Sequence, residues 1–141
     1  MPFIDPTREA FGAFAAHAHD GPVQMLNLLR FRERAAYEPG KAPRDGMSGA
    51  EAYAAYSKAS ADFFAGVGGE IVWSGKPVGG VIGPADERWD AGFIAAYPSK
   101  DAFLTMVRDQ GYQGIVFHRQ AAVADSRLFG FGPGEKGRVF G

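Results

Sequence analysis

The chain has 141 residues, 46% of them hydrophobic, with 15 basic residues against 16 acidic ones and a net charge of −1. That is enough for one domain with a substantial core, too apolar for disorder throughout, and without the clustered positive field that nucleic acid or an anionic membrane needs. There is no cysteine, which removes disulfides, thiol nucleophiles and zinc–thiolate sites and fits a reducing compartment. No stretch approaches the ~18 consecutive apolar residues of a bilayer span. Residues 1–5 lack the basic and apolar regions of a secretion signal, so a cytoplasmic protein without membrane contact is expected.

Asp5-Pro6 reads as a helix N-cap with proline at the first helical position. Phe11, Phe14 and Ala18 then recur at helical spacing until Asp20-Gly21-Pro22 stops the run. Residues 1–22 are therefore a helical extension, expected to cover a sheet edge or a partner chain. Residues 23–31 are apolar on both alternating faces, with Met25, Leu29 and Phe31 on one and Leu26 and Leu28 on the other. A strand buried on both sides has this pattern. Residues 32–47 dissolve into charge, Pro39-Gly40 and Asp45-Gly46, a long loop of the kind that forms lids or partner-contacting arms.

Ser48 and Glu51 form a capping box that opens the next helix. Tyr53, Tyr56, Phe63 and Val67 lie along one stripe of it, and Gly68-Gly69 ends it. A strand over residues 70–76 is expected to turn Ile71 and Trp73 one way and Val72 the other. The glycines at 75, 79, 80 and 83 with Pro77 predict a bulged or kinked continuation and a turn near residues 84–86. Residues 90–97 form the third strand. Ser99 caps a helix with Phe103, Met106 and Val107 inward, Gly111 is expected to break it, and a second piece runs over residues 112–124. The last strand spans residues 127–131, and residues 132–141 form a glycine-rich tail. Strand–helix–strand thus runs twice, predicting one four-stranded sheet with helices on one face.

Four segments carry a resemblance. Residues 25–31 (MLNLLRF), 48–56 (SGAEAYAAY), 97–103 (YPSKDAF) and 124–128 (ADSRL) are similar to a subgroup of the domain-of-unknown-function family 1330. The resemblance covers about residues 23–131. It implies the dimeric α+β barrel superfamily: an α+β, ferredoxin-like βαββαβ domain with an antiparallel four-stranded sheet. The open face of that sheet would meet a second copy, giving a homodimer. Superfamily relatives include cofactor-free oxygenases, isomerases, haem enzymes and ligand-sensing domains, so the fold alone chooses no activity. Family members commonly carry His-Gly-Gly where this chain has Val67-Gly68-Gly69, so that histidine's role cannot be carried over.

Asn27 is the sharpest candidate. An amide inside a doubly buried strand needs partners, since an unpaired buried polar group costs roughly 1–3 kcal/mol. It is read either as a pocket group facing the sheet cavity and holding a carbonyl or enolate oxygen, or as an internal bond to a neighbouring element. Trp73 would be a flat wall against an aromatic ligand, or core. Tyr53 and Tyr56 would rim the pocket, or pack. His118, ahead of Asp125, is the acid–base candidate, with an exposed helix histidine as the plainer reading. Arg127 would attract an anion or pair with Asp125. His17 and His19, two apart on a helix, point to different faces and are not expected to bind metal. The glycine run matches neither G-x-G-x-x-G nor a Walker lysine, and no cofactor is expected. The reading is a small-molecule-binding homodimer acting as a cofactor-free isomerase or oxygenase on a small carbonyl or aromatic metabolite. A non-catalytic binding module, a purely structural dimer and a haem role stay open beside it.

Overall fold

The apolar run at residues 23–31 becomes an inner strand, with a neighbour on each side. The computed structural model describes residues 2–139; residue 1 of the expected extension and residues 140–141 of the expected tail lie outside them. The order is α1 (Arg8–Ala16), β1 (Val23–Phe31), α2 (Gly49–Gly66), β2 (Glu70–Gly75), β3 (Ala91–Tyr97), α3 (Lys100–Arg108), α4 (Gln110–Gln113), α5 (Phe117–Ala122) and β4 (Val123–Phe131). The strands form one sheet in the order β2-β3-β1-β4 with every neighbouring pair antiparallel. This is the α+β βαββαβ arrangement expected, preceded by α1.

The helices cover one face. Val23 and Met25 of β1 and Ala95 and Tyr97 of β3 bury against Phe103, Leu104 and Met106 of α3. Further along β1, Leu29 packs with Ala52 of α2, Ala122 of α5 and Val123 of β4. The α1 helix joins the same layer: Phe14 meets Phe103 edge-on at 5.6 Å, and a Cβ on Gly130 of β4 would strike its ring. The capping box on α2 forms in full, Ser48 and Glu51 each bonding the other's backbone N–H. The 32–47 segment is tied down rather than loose. Arg32 N–H donates to Ala122 O, Ala36 N–H to Ala121 O and Gly49 N–H to Arg32 O, while Met47 is buried in the core.

Strand ends shift by a residue at Gly75 and Ala91, residues 76–83 do not continue β2, and three larger differences have local reasons. The first helix is capped by Thr7, whose hydroxyl accepts from Ala10 N–H at 3.0 Å, while the Asp5 carboxylate accepts from Gln120 instead. Gly111 does not break a helix; Asp109 does, its carboxylate capping α4 at Gly111 and Tyr112 N–H. Gly111 is instead where α4 approaches α2, since a Cβ there would lie 2.8 Å from the Phe63 ring. The helix expected over residues 112–124 is two short ones, and β4 begins four residues early, at Val123, pairing with Phe31 across a bulge. Buried β-branched Val123 suits a strand start better than a helix end.

Two glycines separate close packing from helix propensity. A Cβ on Gly49 would sit 2.2 Å from Arg32 O and 2.6 Å from Ala122 O, both backbone, whereas one on Gly12 in α1 meets nothing within 4 Å. Gly49→Ala is expected to cost about 3 kcal/mol, and Gly12→Ala to stabilise by about 0.5–1 kcal/mol. Urea denaturation of the two variants checks both signs; equal midpoints would overturn the assignment.

Candidate functional site

The sheet sorts the candidate residues onto two faces. Asn27 lies opposite Phe93 on β3 and Leu128 on β4, in an unbroken ladder with Met25↔Ala95 and Leu29↔Ala91. It shares its face with the buried Met25 and Leu29, which is the helix side and not the open side. The expectation that it faces an open sheet cavity is thus corrected. Its Nδ2 donates to Met25 O at 3.0 Å, and its Oδ1 takes no hydrogen bond from the described residues. Leu128, across from it, keeps 39% exposure, so the helix layer stops short of β4 here.

A polar cluster lies in this otherwise apolar layer, reaching Phe93, the cross-strand neighbour of Asn27. Tyr53 packs on Phe93 at 6.5 Å and on Tyr56 at 5.3 Å. Tyr56 Oη and Tyr112 Oη share a hydrogen bond of 2.6 Å. The Arg119 guanidinium reaches the same space from α5, donating to Ile4 O and to Ser126 Oγ. Burial pushes the Tyr53 phenol up to about 12, with Arg119 pulling the other way. Burial raises Tyr56 and Tyr112 as well. All three are therefore neutral near pH 7. They can donate to an oxygen, and Arg119 can offset charge on it, but none takes a proton there.

Trp73 and Arg127 lie on the opposite face. A bulge between Ile71 and Trp73 sets Ile71 opposite Ala95 and Trp73 opposite Ile94. The expected pairing of Ile71 with Trp73 on one face is corrected: the bulge breaks the alternation. The Trp73 ring lies beside Gly75 and Gly92, and Arg127 is opposite Leu28. The open face thus carries Leu26, Leu28, Ile94, Trp73, Phe129 and Phe131, the last two 55% and 54% exposed. At its rim Arg127 pairs with Asp125 at 2.9 Å, lies 3.9 Å from Glu87, and is flanked by the rings of Phe3 and Trp89 at 5.0 and 5.1 Å. Burial alone would raise the Asp125 carboxyl. Hydrogen bonds from Phe3 N–H, Arg127 and Ser126 N–H outweigh it and hold the group below its usual range.

Among the described residues His118 meets neither Asn27 nor a carboxylate. Its Nδ1 shares a 2.7 Å hydrogen bond with Tyr37 Oη from the 32–47 loop, and Phe117 stacks on its ring at 4.1 Å. His19 Nε2 bonds Pro22 O at 2.9 Å. Two surface concavities lie elsewhere. One of about 450 Å³ is lined by Glu33, Arg34, Gly46, Met47 and Ser48; the other, of about 290 Å³, lies between the end of α1 and the start of α3.

The domain of unknown function DUF1330 matches residues 46–129, from the start of α2 into β4. The chain belongs to the DUF1330 family. It is also similar to a solved protein of unknown function from Rhodopseudomonas palustris, RPA0582, at 50% identity over 96% of this chain and 99% of that one, with a TM-score of 0.87. A structure of methylated RPA0582 matches at 49% identity over 97% and 98% of the two chains, with a TM-score of 0.89. A dabb family protein with a ferredoxin-like fold from Mesorhizobium loti matches at 8% identity, over 82% of this chain and 99% of that one, with a TM-score of 0.51. That likeness shows the fold alone. No curated protein matches the chain.

Within this DUF1330 chain, Tyr112 and Arg119 are the members of the helix-side cluster that the sequence reading left out. The available signal was that buried tyrosines need polar partners. Tyr56→Phe is expected to cost about 1–3 kcal/mol, because it leaves the Tyr112 hydroxyl buried and unpaired. Adding Tyr112→Phe should recover part of that loss in a double-mutant cycle; simple additivity would mean the hydroxyls do not interact. His118 gives a pH test. Burial lowers its pKa below 6.5, so between the two values the unfolded ring binds a proton that the folded one does not. Stability should therefore fall as pH drops below about 6.5, and His118→Gln should flatten the melting temperature between pH 7 and 5.5. An unchanged slope in the variant would refute this.

Proposed function

We propose that the protein is a homodimer, joined through its open sheet face, that binds a small oxygen-bearing metabolite in the helix-side cluster. One observation carries the reading: Tyr53, Tyr56, Tyr112 and Arg119 gather in an apolar layer on the sheet face that Asn27 shares, with an amide oxygen and a second amide N–H of Asn27 unused. Few, convergent polar groups among aromatic walls are what fixes a ligand's orientation. The Tyr53 and Phe93 rings suit a planar or aromatic body, and the neutral phenols suit a carbonyl or enolate oxygen. A cofactor-free isomerisation or oxygenation would use the same donors to stabilise a developing oxyanion. The base for such a step would come from the substrate or from water, because His118 is engaged by Tyr37. Binding, with or without turnover, is therefore the function supported best.

The apolar open face supports the dimer. Helices occupy only one side of the sheet, and contiguous exposed apolar surface marks an interface. No helix among the described residues is long and apolar enough to cross a membrane. A cytoplasmic location suits a chain without cysteine.

Thermal-shift titration with phenols and β-dicarbonyl compounds tests the site. At least one class should raise the melting temperature of the wild type, and Asn27→Ala and Tyr53→Phe should each weaken its binding about tenfold, the scale of one lost hydrogen bond. Equal affinity in both variants would remove the cluster from binding. A dimer that no compound stabilises would leave only the structural reading.

A further inference from the structure

The connection between β2 and β3 stands away from its own chain. Val78, Val81 and Ile82 are 104%, 97% and 98% exposed, and a Cβ built on Gly79 or Gly80 would meet nothing within 4 Å. Three aliphatic side chains left in water forfeit roughly 1.5–3 kcal/mol each relative to burial. A solvated loop has no need of them.

The returning limb shows which side the arm lies on. Asp90 N–H donates to Leu29 O at 2.7 Å, and the Asp90 carboxylate accepts from Phe31 N–H at 2.8 Å. Glu87 and Trp89 both lie against Arg127, whose opposite number is Leu28 of the open face. The base of the arm is thus fastened on the side of the sheet that the helices leave bare. Its outgoing limb continues from Trp73, the exposed ring of that same face. Trp73, Phe129 and Phe131 of the open face and Val78, Val81 and Ile82 of the arm are each at least half exposed, and apolar surface of this kind marks an interface when it is contiguous.

We infer that residues 76–83 form an intersubunit clasp, each arm lying on the open sheet face or arm of the second copy. The inference rests on the sheet-face homodimer proposed above. A two-fold sheet-face interface sets the open side of each copy against that of the other, so an apolar segment based on the open side lies within reach of the partner. Being apolar and anchored only at its base, the arm adds buried area without a competing fold-back on its own chain.

Two experiments on the full chain test this. A photoreactive benzoylphenylalanine placed at position 82 should give a covalent dimer on irradiation, with the crosslinked peptide mapping to the open face or to the partner's arm. Replacing residues 78–82 by Gly-Ser should weaken the dimer at least tenfold in light-scattering dilution series, while far-ultraviolet circular dichroism stays unchanged. A dimer that persists with only intrachain crosslinks, or that is untouched by the replacement, overturns the clasp and leaves the sheet-face dimer standing. A wild-type chain that is monomeric at every concentration overturns both.

Discussion

The structure depends on a mismatch at β1. Its Met25 and Leu29 enter the helix layer, while Leu26 and Leu28 point the other way with no helix to receive them. A strand apolar on both faces belongs in a sheet covered on both faces, and this chain supplies one cover only. α1, α2, α3 and α5 all contribute to that one layer. The second face is therefore surplus for a single copy, and the apolar character of Trp73, Phe129 and Phe131 around it follows from the same constraint.

Much of the architecture was legible because the signals were local. Ser48 and Glu51 announce α2 by their three-residue spacing, and Ser99 caps α3 as expected. Where the signal was ambiguous, tertiary contacts decided. Asp5-Pro6 and Thr7 are both good caps, and Asp5 lost because Gln120 holds its carboxylate. Gly111 looks like a breaker, yet its lack of a side chain is used for the approach to Phe63, and the neighbouring Asp109 ends the helix. Such contacts join residues tens of positions apart, which no window of sequence contains.

The candidate site was legible only in part: Asn27, Tyr53 and Tyr56 stood out in the sequence, whereas Tyr112 and Arg119 did not. Tyr53 packs on Tyr56 on the sheet face that Asn27 shares, but Trp73 and Arg127 lie on the opposite face, and His118 is engaged by Tyr37. The reason is parity. A strand with apolar residues on both faces does not say which face the helices take, so Asn27 could be placed on β1 but not on a side. For Trp73 the cause is the single bulge after Ile71, which shifts every later side chain by one position. A one-residue slip is invisible in composition, and it decides whether an indole joins a core, a site or an interface.

That division of labour has an electrostatic logic. In the proposed dimer a two-fold axis would set the open face of each copy against the same surface of the other, so a charge there meets its own kind or an uncompensated apolar wall. Arg127, a cation at this rim beside Arg30, is already matched within its own chain by Asp125 and Glu87 and packed between Phe3 and Trp89. It can approach a partner without an unpaired charge. The tyrosines and Arg119 satisfy one another and their neighbours instead, Tyr56 with Tyr112 and Arg119 with Ile4 O and Ser126 Oγ. Placed on the helix side, they form a complete set within each copy, shielded from the symmetry that would duplicate every donor. One sheet thus keeps its apolar open face apart from the polar cluster, and the alternation of β1, with Leu26 and Leu28 outward and Asn27 between them inward, puts both on one backbone.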